Sequence, residues 1–359
     1  MATRRKSNKK VSVTMAIIFI ILAVAGYFVY NKFFKKEEPF TPAKGAISFH
    51  FMTLGNGASG DSVYVKAGEN DILIDAGSQV GSIPTIQNYL NKYVTDNTLE
   101  YVIVTHAHAD HYAGFTKRNG SLFDLYECET IIDFPLTNQT GPMYQNYVAE
   151  RADEIKNGAT HYTALQCYRE QDGAKRVYDL SGDGNVTMEI LYNYYYEHTF
   201  SDDENNYSVC VQFSHGSENK FLFTGDLEAI GEETLIKYND LSKVKLYKAG
   251  HHGSNTSSSK DFLEVIQPEI CVISCAIGDS YDFPKQYFID RIAPYTSQIY
   301  VTTMANSDYT NGAKYTDMNG NVVVISSETG VTVECSGSDT ILKESEWFIE
   351  NRTWPANGK

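Results

Sequence analysis

One short segment of the sequence concentrates the side-chain types that bind metal ions. The segment, Thr105-His106-Ala107-His108-Ala109-Asp110-His111, directly follows an apolar run typical of a buried strand. Imidazoles and a carboxylate packed this closely are costly to bury unless they coordinate a cation. The first two histidines, two positions apart at a strand end, can face one ion, and the aspartate and histidine of the following turn can face a second. We therefore predict that His106, His108, Asp110 and His111 hold divalent metal.

Two later strand ends carry further ligand-type residues. The run Phe221-Leu222-Phe223-Thr224-Gly225-Asp226 ends in a carboxylate, a group that is able to bridge two cations. The run Lys248-Ala249-Gly250-His251-His252-Gly253-Ser254 contains two adjacent histidines after an apolar strand. We predict Asp226 and one of these histidines as ligands, with His251 preferred and with His252 and the more distant His198 as further candidates.

The hydroxyl-rich stretch after the paired histidines has two interpretations. Ser258, with Asp261 three positions later, approximates a helix capping box. Because a helix N-terminus attracts anions, the stretch either caps a helix or holds a phosphate of the substrate beside the metals. Both interpretations stay open, and we expect Lys248, Ser254 and Ser258 to contact the metal ligands or the substrate.

The elements around these motifs predict an α/β fold. An initial hairpin is followed by alternating strand and helix patterns, which favours a sandwich in which each metal motif follows a strand. Strands are predicted at 47–54, 62–67, 71–74, 100–105, 207–213, 220–223, 244–249, 270–275, 298–303 and 322–325. Helices are predicted at 82–93, 143–155, 230–238, 260–266 and 286–293. Residues 115–190 show little other periodicity, and we interpret them as an insertion that shapes the substrate pocket.

The stretch Gly55-Asn56-Gly57-Ala58-Ser59-Gly60 matches a dinucleotide-binding pattern without its structural context. A dinucleotide site needs a helix directly after the glycines, so that the helix N-terminus meets the pyrophosphate. The residues that follow, Asp61-Ser62-Val63-Tyr64-Val65, alternate with the period of a strand instead. We therefore interpret these glycines as a tight turn.

The N-terminal part of the sequence predicts a membrane anchor. Basic residues precede an almost purely apolar run at 11–30, which is long enough to span a bilayer as a helix. The basic excess places residues 1–10 in the cytoplasm and the rest of the chain outside, in a single-pass arrangement at the cell membrane. A cleaved signal peptide is the alternative, although the apolar run continues well beyond the cleavage-like Ala23-Val24-Ala25. We predict a linker at 31–46, a folded domain at 47–335 and a C-terminal tail at 336–359.

Charge and cysteine content exclude some classes of partner and site. The formal charge is -15, and because the first 38 residues hold eight basic and two acidic residues, the remainder carries -21. Such a surface repels polyanions, so tight, sequence-independent binding of long nucleic acid is not expected. The six cysteines form no Cys-x-x-Cys pair, which argues against a cysteine-ligated zinc site. We interpret them as buried thiols, with a disulfide outside the cell as the alternative.

Taken in order, these motifs resemble the metallo-β-lactamase superfamily. Over about residues 47–326 the chain is similar to the hydrolase domain of the ComEC family of competence proteins. The similar segments are Gly60-Asp61-Ser62, Leu73-Ile74-Asp75-Ala76-Gly77, Asn206-Tyr207-Ser208, Phe223-Thr224-Gly225-Asp226-Leu227 and His251-His252-Gly253-Ser254. The resemblance implies an αββα sandwich for the domain at 47–335, in a stand-alone form without that family's membrane channel. It also implies that Asp75 supports the metal turn and that Asp110 orients the attacking water.

Two positions depart from the pattern of that family. Thr53 stands where the family has an aspartate before the first glycine turn, and Phe283-Pro284 stands where relatives show His-Pro. The second change removes a polar group near the expected mouth of the site. We therefore expect a different substrate preference.

The motifs together predict a metal-dependent hydrolase. Two divalent cations would share a hydroxide and stabilise charge on the substrate, which suits phosphodiester hydrolysis. Zinc is preferred for imidazole-rich ligation, with manganese or iron as alternatives. We expect an extracytoplasmic, membrane-anchored, nuclease-like phosphodiesterase that acts on nucleic acid or on a phosphorylated small molecule, wall or lipid group. The alternatives are a lactam or ester hydrolase with the same ligands and a non-catalytic surface module for DNA uptake.

Overall fold

The computed structural model describes residues 45–55, 57–199, 203–277, 280–304 and 319–359. The strands are β1 (Ile47–Phe51), β2 (Val63–Ala67), β3 (Asn70–Ile74), β4 (Thr98–Val104), β5 (Glu127–Asp133), β6 (Thr160–Thr163), β7 (Val177–Asp179), β8 (Val186–Ile190), β9 (Val211–His215), β10 (Asn219–Phe223), β11 (Leu246–Lys248), β12 (Ile270–Ile277), β13 (Gln298–Met304), β14 (Val322–Ser327) and β15 (Gly330–Cys335). The helices are α1 (Ile83–Leu90), α2 (Ala109–Tyr112), α3 (Leu122–Leu125), α4 (Pro142–Asn157), α5 (Ala164–Arg169), α6 (Ala229–Tyr238), α7 (Lys260–Ile266), α8 (Gln286–Ile292) and α9 (Glu346–Asn351).

These strands form two mixed sheets. In the described residues, one sheet has the order β15-β14-β1-β2-β3-β4-β5-β6 and the other the order β13-β12-β11-β10-β9-β8-β7. Strands β3 to β6 are parallel to one another, and so are β10 to β13. The glycine stretch before β2 leads into that strand without a helix, as its alternating pattern indicated.

The two sheets pack face to face through aromatic side chains. The ring of Phe49 in β1 lies 4.7 Å from that of Phe221 in β10 and 5.3 Å from that of Phe213 in β9. Successive strand residues point to opposite faces, so Leu222 leaves this core and joins a second apolar cluster. The second sheet is therefore apolar on both faces.

Helices cover the outer faces of both sheets. Leu235 of α6, Phe262 of α7 and Ile289 of α8 are buried in the second cluster. On the first sheet, the outward-facing His50 bonds through Nδ1 with the hydroxyl of Tyr89 in α1 at 2.8 Å. The layers are therefore helix, sheet, sheet and helix, in an α/β metallo-β-lactamase-type sandwich.

Residues 115–190, which we interpreted as an insertion, are part of both sheets. Strands β5 and β6 extend the first sheet, and β7 and β8 form the far edge of the second. The sequence pattern missed β5 because exposed acidic residues, Glu127 and Glu129, alternate with its buried positions. The predicted helix in this stretch is present as α4.

The two ends of the chain differ in what the structure describes. The anchor predicted at 11–30 lies outside the described residues, as do residues 1–10 and most of the linker at 31–46. Within the described ranges, no helix has the length and apolar character needed to cross a membrane. Residues 336–359, predicted as a tail, form α9 and bury Leu342, Trp347 and Phe348 in the second cluster. The six cysteines are free thiols, and all except Cys335 are buried.

Candidate metal centre

Side chains from both sheets meet at the edge where the parallel strands end. Ligand atoms of Asp110, His111, Asp226 and His252 all lie within 4.8 Å of one another. The first two residues follow β4, the third follows β10, and the fourth follows β11. Because the carboxyl ends of parallel strands lie at one edge of a sheet, residues far apart in sequence converge here.

The buried carboxylate of Asp75 orients the ring of His111. The ring donates from Nδ1 to Oδ2 of Asp75 at 2.8 Å. Asp75 also accepts from the backbone N–H and the hydroxyl of Thr105, at 2.8 and 2.7 Å. A carboxylate that accepts a hydrogen bond from one ring nitrogen fixes the tautomer and leaves the other nitrogen for a metal. That nitrogen, Nε2, lies 3.1 Å from Oδ2 of Asp226.

His252 is oriented in the same way from the second sheet. Its Nδ1 donates to the carbonyl oxygen of Ser274 in β12 at 2.7 Å. Its Nε2 lies 3.2 Å from Oδ2 of Asp226 and 3.3 Å from Oδ2 of Asp110. Two imidazoles, each fixed through Nδ1, therefore present Nε2 to one carboxylate oxygen.

This donor set fits a divalent cation. In the described structure, Nε2 of His111 and Nε2 of His252 are buried, make no hydrogen bond of good geometry and face carboxylate oxygens at 3.1, 3.2 and 3.3 Å. Imidazole nitrogens mixed with carboxylate oxygens are the ligands of zinc, manganese and iron sites. The residues that would hold the ion are therefore Asp110, His111, Asp226 and His252.

The electrostatics of these four residues favour a cation as well. Burial by itself lowers the pKa of His252, but the carboxylates of Asp226 and Asp61 raise it to about 10. Burial also lowers the pKa of His111, and Asp226 and Asp75 together raise it well above its usual value. In the metal-free protein, protons on these imidazoles balance the buried carboxylates, and a bound cation would replace them.

His106 and His108 form a second pair beside this cluster. Nε2 of His106 lies 3.1 Å from Nδ1 of His108, and Nδ1 of His106 bonds with the hydroxyl of Thr105 at 3.1 Å. Burial and the neighbouring His111 lower the pKa of His106 well below its usual value, so its ring is neutral and able to bind metal. Among the described residues, no ligand group of three or more includes either histidine.

A buried ion pair adjoins the cluster. The Lys248 ammonium pairs with the Asp61 carboxylate and lies 3.3 Å from Oδ1 of Asp226. Asp61 itself lies 3.6 Å from Nδ1 of His252. Lys248 thus contacts the ligand candidate Asp226 and leaves the other oxygen of Asp226 to the histidines. Sequence reasoning missed Asp61 as a site residue, although the Gly60-Asp61-Ser62 segment was a usable signal.

Close backbone packing fixes the position of Asp110. Its carbonyl oxygen accepts a hydrogen bond from the N–H of Asp61 at 3.0 Å. A Cβ on Gly77 would lie 1.5 Å from the same oxygen, so any larger residue would displace the turn. The carboxylate of Asp110 points toward His252 with a side chain that is 38% exposed. Asp110 is therefore the ligand candidate that substrate and solvent can reach.

His251, the preferred ligand from sequence, does not join the cluster. Its Nδ1 bonds with the hydroxyl of Thr256 at 3.0 Å and lies 3.5 Å from the Glu228 carboxylate. Both histidines have left-handed backbone, with φ 46 at His251 and φ 54 at His252, and this turn sends the two rings in different directions. The geometry therefore favours His252, the second candidate, over His251.

His198, the other distant ligand candidate, lies on the surface. It bonds through Nδ1 with the carbonyl oxygen of Tyr194 at 2.8 Å, and its ring stacks on that tyrosine at 3.7 Å. These local contacts direct the ring away from any described ligand group.

The hydroxyl groups predicted to contact substrate bond with other side chains of the protein instead. Ser258 is fully buried and bonds with the hydroxyl of Tyr247 at 2.9 Å. The carboxylate of Glu232 accepts the N–H groups of Ser258 and Ser259 at 2.5 and 2.7 Å, so a carboxylate of the protein occupies the predicted anion position. Ser254 is also buried and contacts the Thr256 hydroxyl at 3.1 Å.

A comparison with protein families agrees with this arrangement. The model of the metallo-β-lactamase superfamily matches residues 55–117, which contain the first metal motif. Residues 55–117 of the chain are thus similar to the metallo-β-lactamase superfamily. This similarity points to a metal-dependent hydrolase that binds divalent metal.

The curated proteins that are similar to this chain include competence proteins. Recombination protein 2 of Haemophilus influenzae is 31% identical over 102 residues, which are 28% of this chain and 13% of that protein. Competence protein ComA of Neisseria gonorrhoeae is 33% identical over 106 residues, 29% of this chain and 15% of that protein. The chain thus matches only a small part of the length of either protein.

Two further similarities concern smaller proteins. Exodeoxyribonuclease WalJ of Streptococcus pneumoniae is 32% identical over 86 residues, which are 23% of this chain and 30% of that protein. The crystal structure of the metallo-β-lactamase fold protein YhfI of Bacillus subtilis is similar with a TM-score of 0.43 at 13% identity, and the match covers 73% of this chain and 98% of that one.

Proposed function

We propose that the chain is a metal-dependent phosphodiesterase. The observation that carries the proposal is the convergence of Asp110, His111, Asp226 and His252, with Asp110 reachable from solvent and the other three buried. Divalent ions at such a centre lower the pKa of water and stabilise negative charge on phosphoryl oxygens. The proposal includes two ions, one at these four residues and one at His106 and His108, with zinc as the first choice and manganese or iron as alternatives.

Asp110 is the residue proposed to orient the attacking water. Partial burial raises the pKa of this carboxyl, but His252 and His111 together lower it below its usual range. Asp110 is therefore ionised at neutral pH and can accept a hydrogen bond from water. Its fixed carbonyl and its contact with His252 hold the carboxylate in place for that role.

The proposed substrate is a phosphodiester of nucleic acid or of a phosphorylated small molecule, wall or lipid group. The similarity to a protein named exodeoxyribonuclease favours nucleic acid. The charge of -21 beyond residue 38 opposes binding along a long polyanion and favours chain ends or short pieces.

The site is proposed to face the outside of the cell. This location depends on the apolar run at 11–30 and on the basic residues that precede it. An epitope tag is added after residue 359, intact cells are treated with protease, and the tag is detected by immunoblotting. We expect the protease to remove the tagged domain. A protected domain would refute this location.

Hydrolysis of bis-p-nitrophenyl phosphate tests the activity. We expect turnover by the purified full-length chain with zinc or manganese, no turnover in chelator, and loss of turnover in Asp110→Ala with an unchanged circular dichroism spectrum. Metal-loaded wild-type protein that hydrolyses an ester or a lactam and not this diester would contradict the proposed bond class.

A further inference from the structure

Two carboxylates lie together beside the metal centre. The carboxyl groups of Asp203 and Glu228 are within hydrogen-bond distance of each other. Among the described residues, the only ion-pair contact of either carboxylate joins Oε1 of Glu228 to Nδ1 of His251, at 3.5 Å. Like charges this close repel each other unless a positive charge compensates them. The pair is therefore arranged to accept a positively charged group.

The pair adjoins the residues that we predict to hold metal. Glu228 follows Asp226 by two positions, and the Asp203 carboxylate interacts electrostatically with His108. Both carboxylates are partly exposed, so a ligand can reach them from solvent. A substrate whose phosphate lies at the metals can therefore place a second group against these two side chains.

A buried amide adds a further acceptor to this cluster. Asn205 is only 4% exposed, and its Nδ2 lies 3.5 Å from Oε1 of Glu228 and 3.5 Å from Nδ1 of His251. Its Oδ1 is buried and has no hydrogen-bond partner in the described structure. A buried acceptor without a donor is costly, which indicates that a ligand supplies the missing hydrogen bond.

The backbone holds these acceptors in place. The Asp203 carboxylate accepts the backbone N–H of Asn205 at 2.9 Å, and the N–H of Glu228 donates to Oδ1 of Asn206 at 3.3 Å. Both contacts leave Oδ1 of Asn205 available. Because the acceptors are positioned in advance, a ligand that binds them would lose little free energy to ordering.

The spacing of these groups suits an ammonium group more than a metal ion. Among the described residues, Asp203, Glu228 and His251 do not form a group whose ligand atoms all lie within 4.8 Å of one another. A primary ammonium has three N–H donors and bonds at about 2.8 Å, whereas metal ligands lie at about 2.1 Å, so the ammonium reaches acceptors that are farther apart.

We propose that Asp203, Glu228 and Asn205 form a pocket for a primary ammonium group of a substrate whose phosphate lies at the metal centre. This specificity role rests on the proposed phosphodiesterase function. It selects, from the substrates proposed above, an amine-bearing phosphodiester of a small molecule, wall or lipid group, because nucleic-acid bases carry no ammonium group at neutral pH. The charge of -21 beyond residue 38 also favours such a substrate over a long polyanion.

Equilibrium binding tests the pocket without depending on turnover. The zinc-loaded, full-length chain is titrated calorimetrically with aminoethylphosphonate, with ethylphosphonate and with the trimethylammonium analogue of the first compound. A hydrogen bond to a charged group contributes enough that we expect the aminoethyl compound to bind about tenfold more tightly than the ethyl compound. Asp203→Asn should bring the two affinities close to each other, and Glu228→Gln should change their ratio in the same direction.

Asp153→Asn is the matched control, because this carboxylate is 61% exposed on α4 and pairs with Arg118. It should keep the ratio of the parent. Equal binding of the aminoethyl and ethyl compounds by the parent, or an unchanged ratio in Asp203→Asn, would overturn the pocket. Equally tight binding of the trimethylammonium analogue would overturn it too, since that compound has the charge without the N–H donors.

The hydrolysis assay separates this pocket from the proposed function. Absence of diesterase activity together with amine-dependent binding at Asp203 would reject the phosphodiesterase alone, whereas diesterase activity without amine-dependent binding would reject the pocket alone. Hydrolysis of soluble glycerophosphoethanolamine, compared with that of phosphatidylethanolamine in vesicles, then distinguishes a soluble source of the ammonium from a lipid headgroup. Hydrolysis of neither by an active diesterase would overturn the substrate class.

Discussion

The two groups of candidate ligands differ in how many ligand atoms converge in each. The buried group, Asp110, His111, Asp226 and His252, combines both sheets, and each of its histidines is fixed through Nδ1. The open group, named for its incomplete ligand set, consists of the buried His106 and the partly exposed His108 from a single strand end. Its two rings contact each other, His106 bonds with Thr105, and the His106 ring lies 4.1 Å from the His111 ring. We therefore expect two ions to bind in sequence, the first tightly at the buried group and the second more weakly at the open group.

The largest expected effect is that of Asp226→Asn. Its Oδ2 lies beside both histidines of the buried group, so the change removes the charge that the ion neutralises. We expect hydrolysis to fall at least about a thousandfold, because a metal contributes several kcal/mol to the transition state. Diester hydrolysis and bound metal measured by mass spectrometry check this. Retention of a stoichiometric, tightly bound ion by the variant would contradict the assignment of the tight ion to the buried group.

Replacing the adjacent histidines one at a time sharpens the assignment. His252→Ala removes a ligand and should weaken the tight ion by roughly 3 kcal/mol, about 100-fold. His251→Ala removes a ring that bonds with Thr256 and should change metal affinity less than about threefold. Competition with a fluorescent chelator measures both. The opposite order of effects would return the ligand role to His251.

Asp75→Asn should produce a smaller loss in the buried group. With the amide oxygen accepting the Thr105 N–H, the NH2 group faces His111 Nδ1 and donates to it, so the ring loses its fixed tautomer. Outer partners of this type typically change metal affinity about 10- to 100-fold. Affinity for the first ion should fall within that range, while a loss confined to the second ion would show that Asp75 serves the open group.

His108→Ala tests the open group alone. The side chain of His108 contacts His106, and among the described contacts it reaches no side chain of the buried group. Isothermal titration should show the first ion bound as in the wild type and the second ion lost. Loss of both ions together would mean that the two groups form one cooperative site.

The smallest effect concerns protons released on metal binding. The pKa of His252 is raised to about 10, and that of His111 is raised too. Both imidazoles are therefore protonated on both nitrogens, and positively charged, at pH 7 before the first ion binds. His106 is neutral, so the second ion displaces none from it. Calorimetry in two buffers of different ionisation enthalpy should give about one to two protons for the first ion, with affinity that falls as the pH is lowered. A first ion that releases no proton would contradict this electrostatic account.

The sequence was informative where ligand spacing is local. The His106 to His111 segment and Asp226 each follow a strand whose pattern is readable, and their convergence follows from parallel strand ends. The choice between His251 and His252 depends on left-handed backbone within one tight turn, which residue types do not reveal. At Ser258, the Glu232 carboxylate fills the position that was predicted for an anion. Glu232 is distant in sequence and reaches Ser258 through the packing of α6 against α7.

The sheet edges were the least predictable part of the fold. Strands β6 and β7 are short and largely polar, so they lack the continuous apolar runs that marked β10 and β12. The segment after residue 335 lacked a repeated pattern, and its burial depends on Trp347 and Phe348 meeting the second cluster. Packing between distant segments determined these elements.

Crystals of the protein soaked with zinc or manganese, with anomalous diffraction collected at the metal edge, test the central claim most directly. The account predicts that the strongest peak is bound by Asp110, His111, Asp226 and His252, and that a weaker peak appears at His106 and His108 at higher metal concentration. A strongest peak bound by His251, or no peak among the four buried-group ligands, would contradict it.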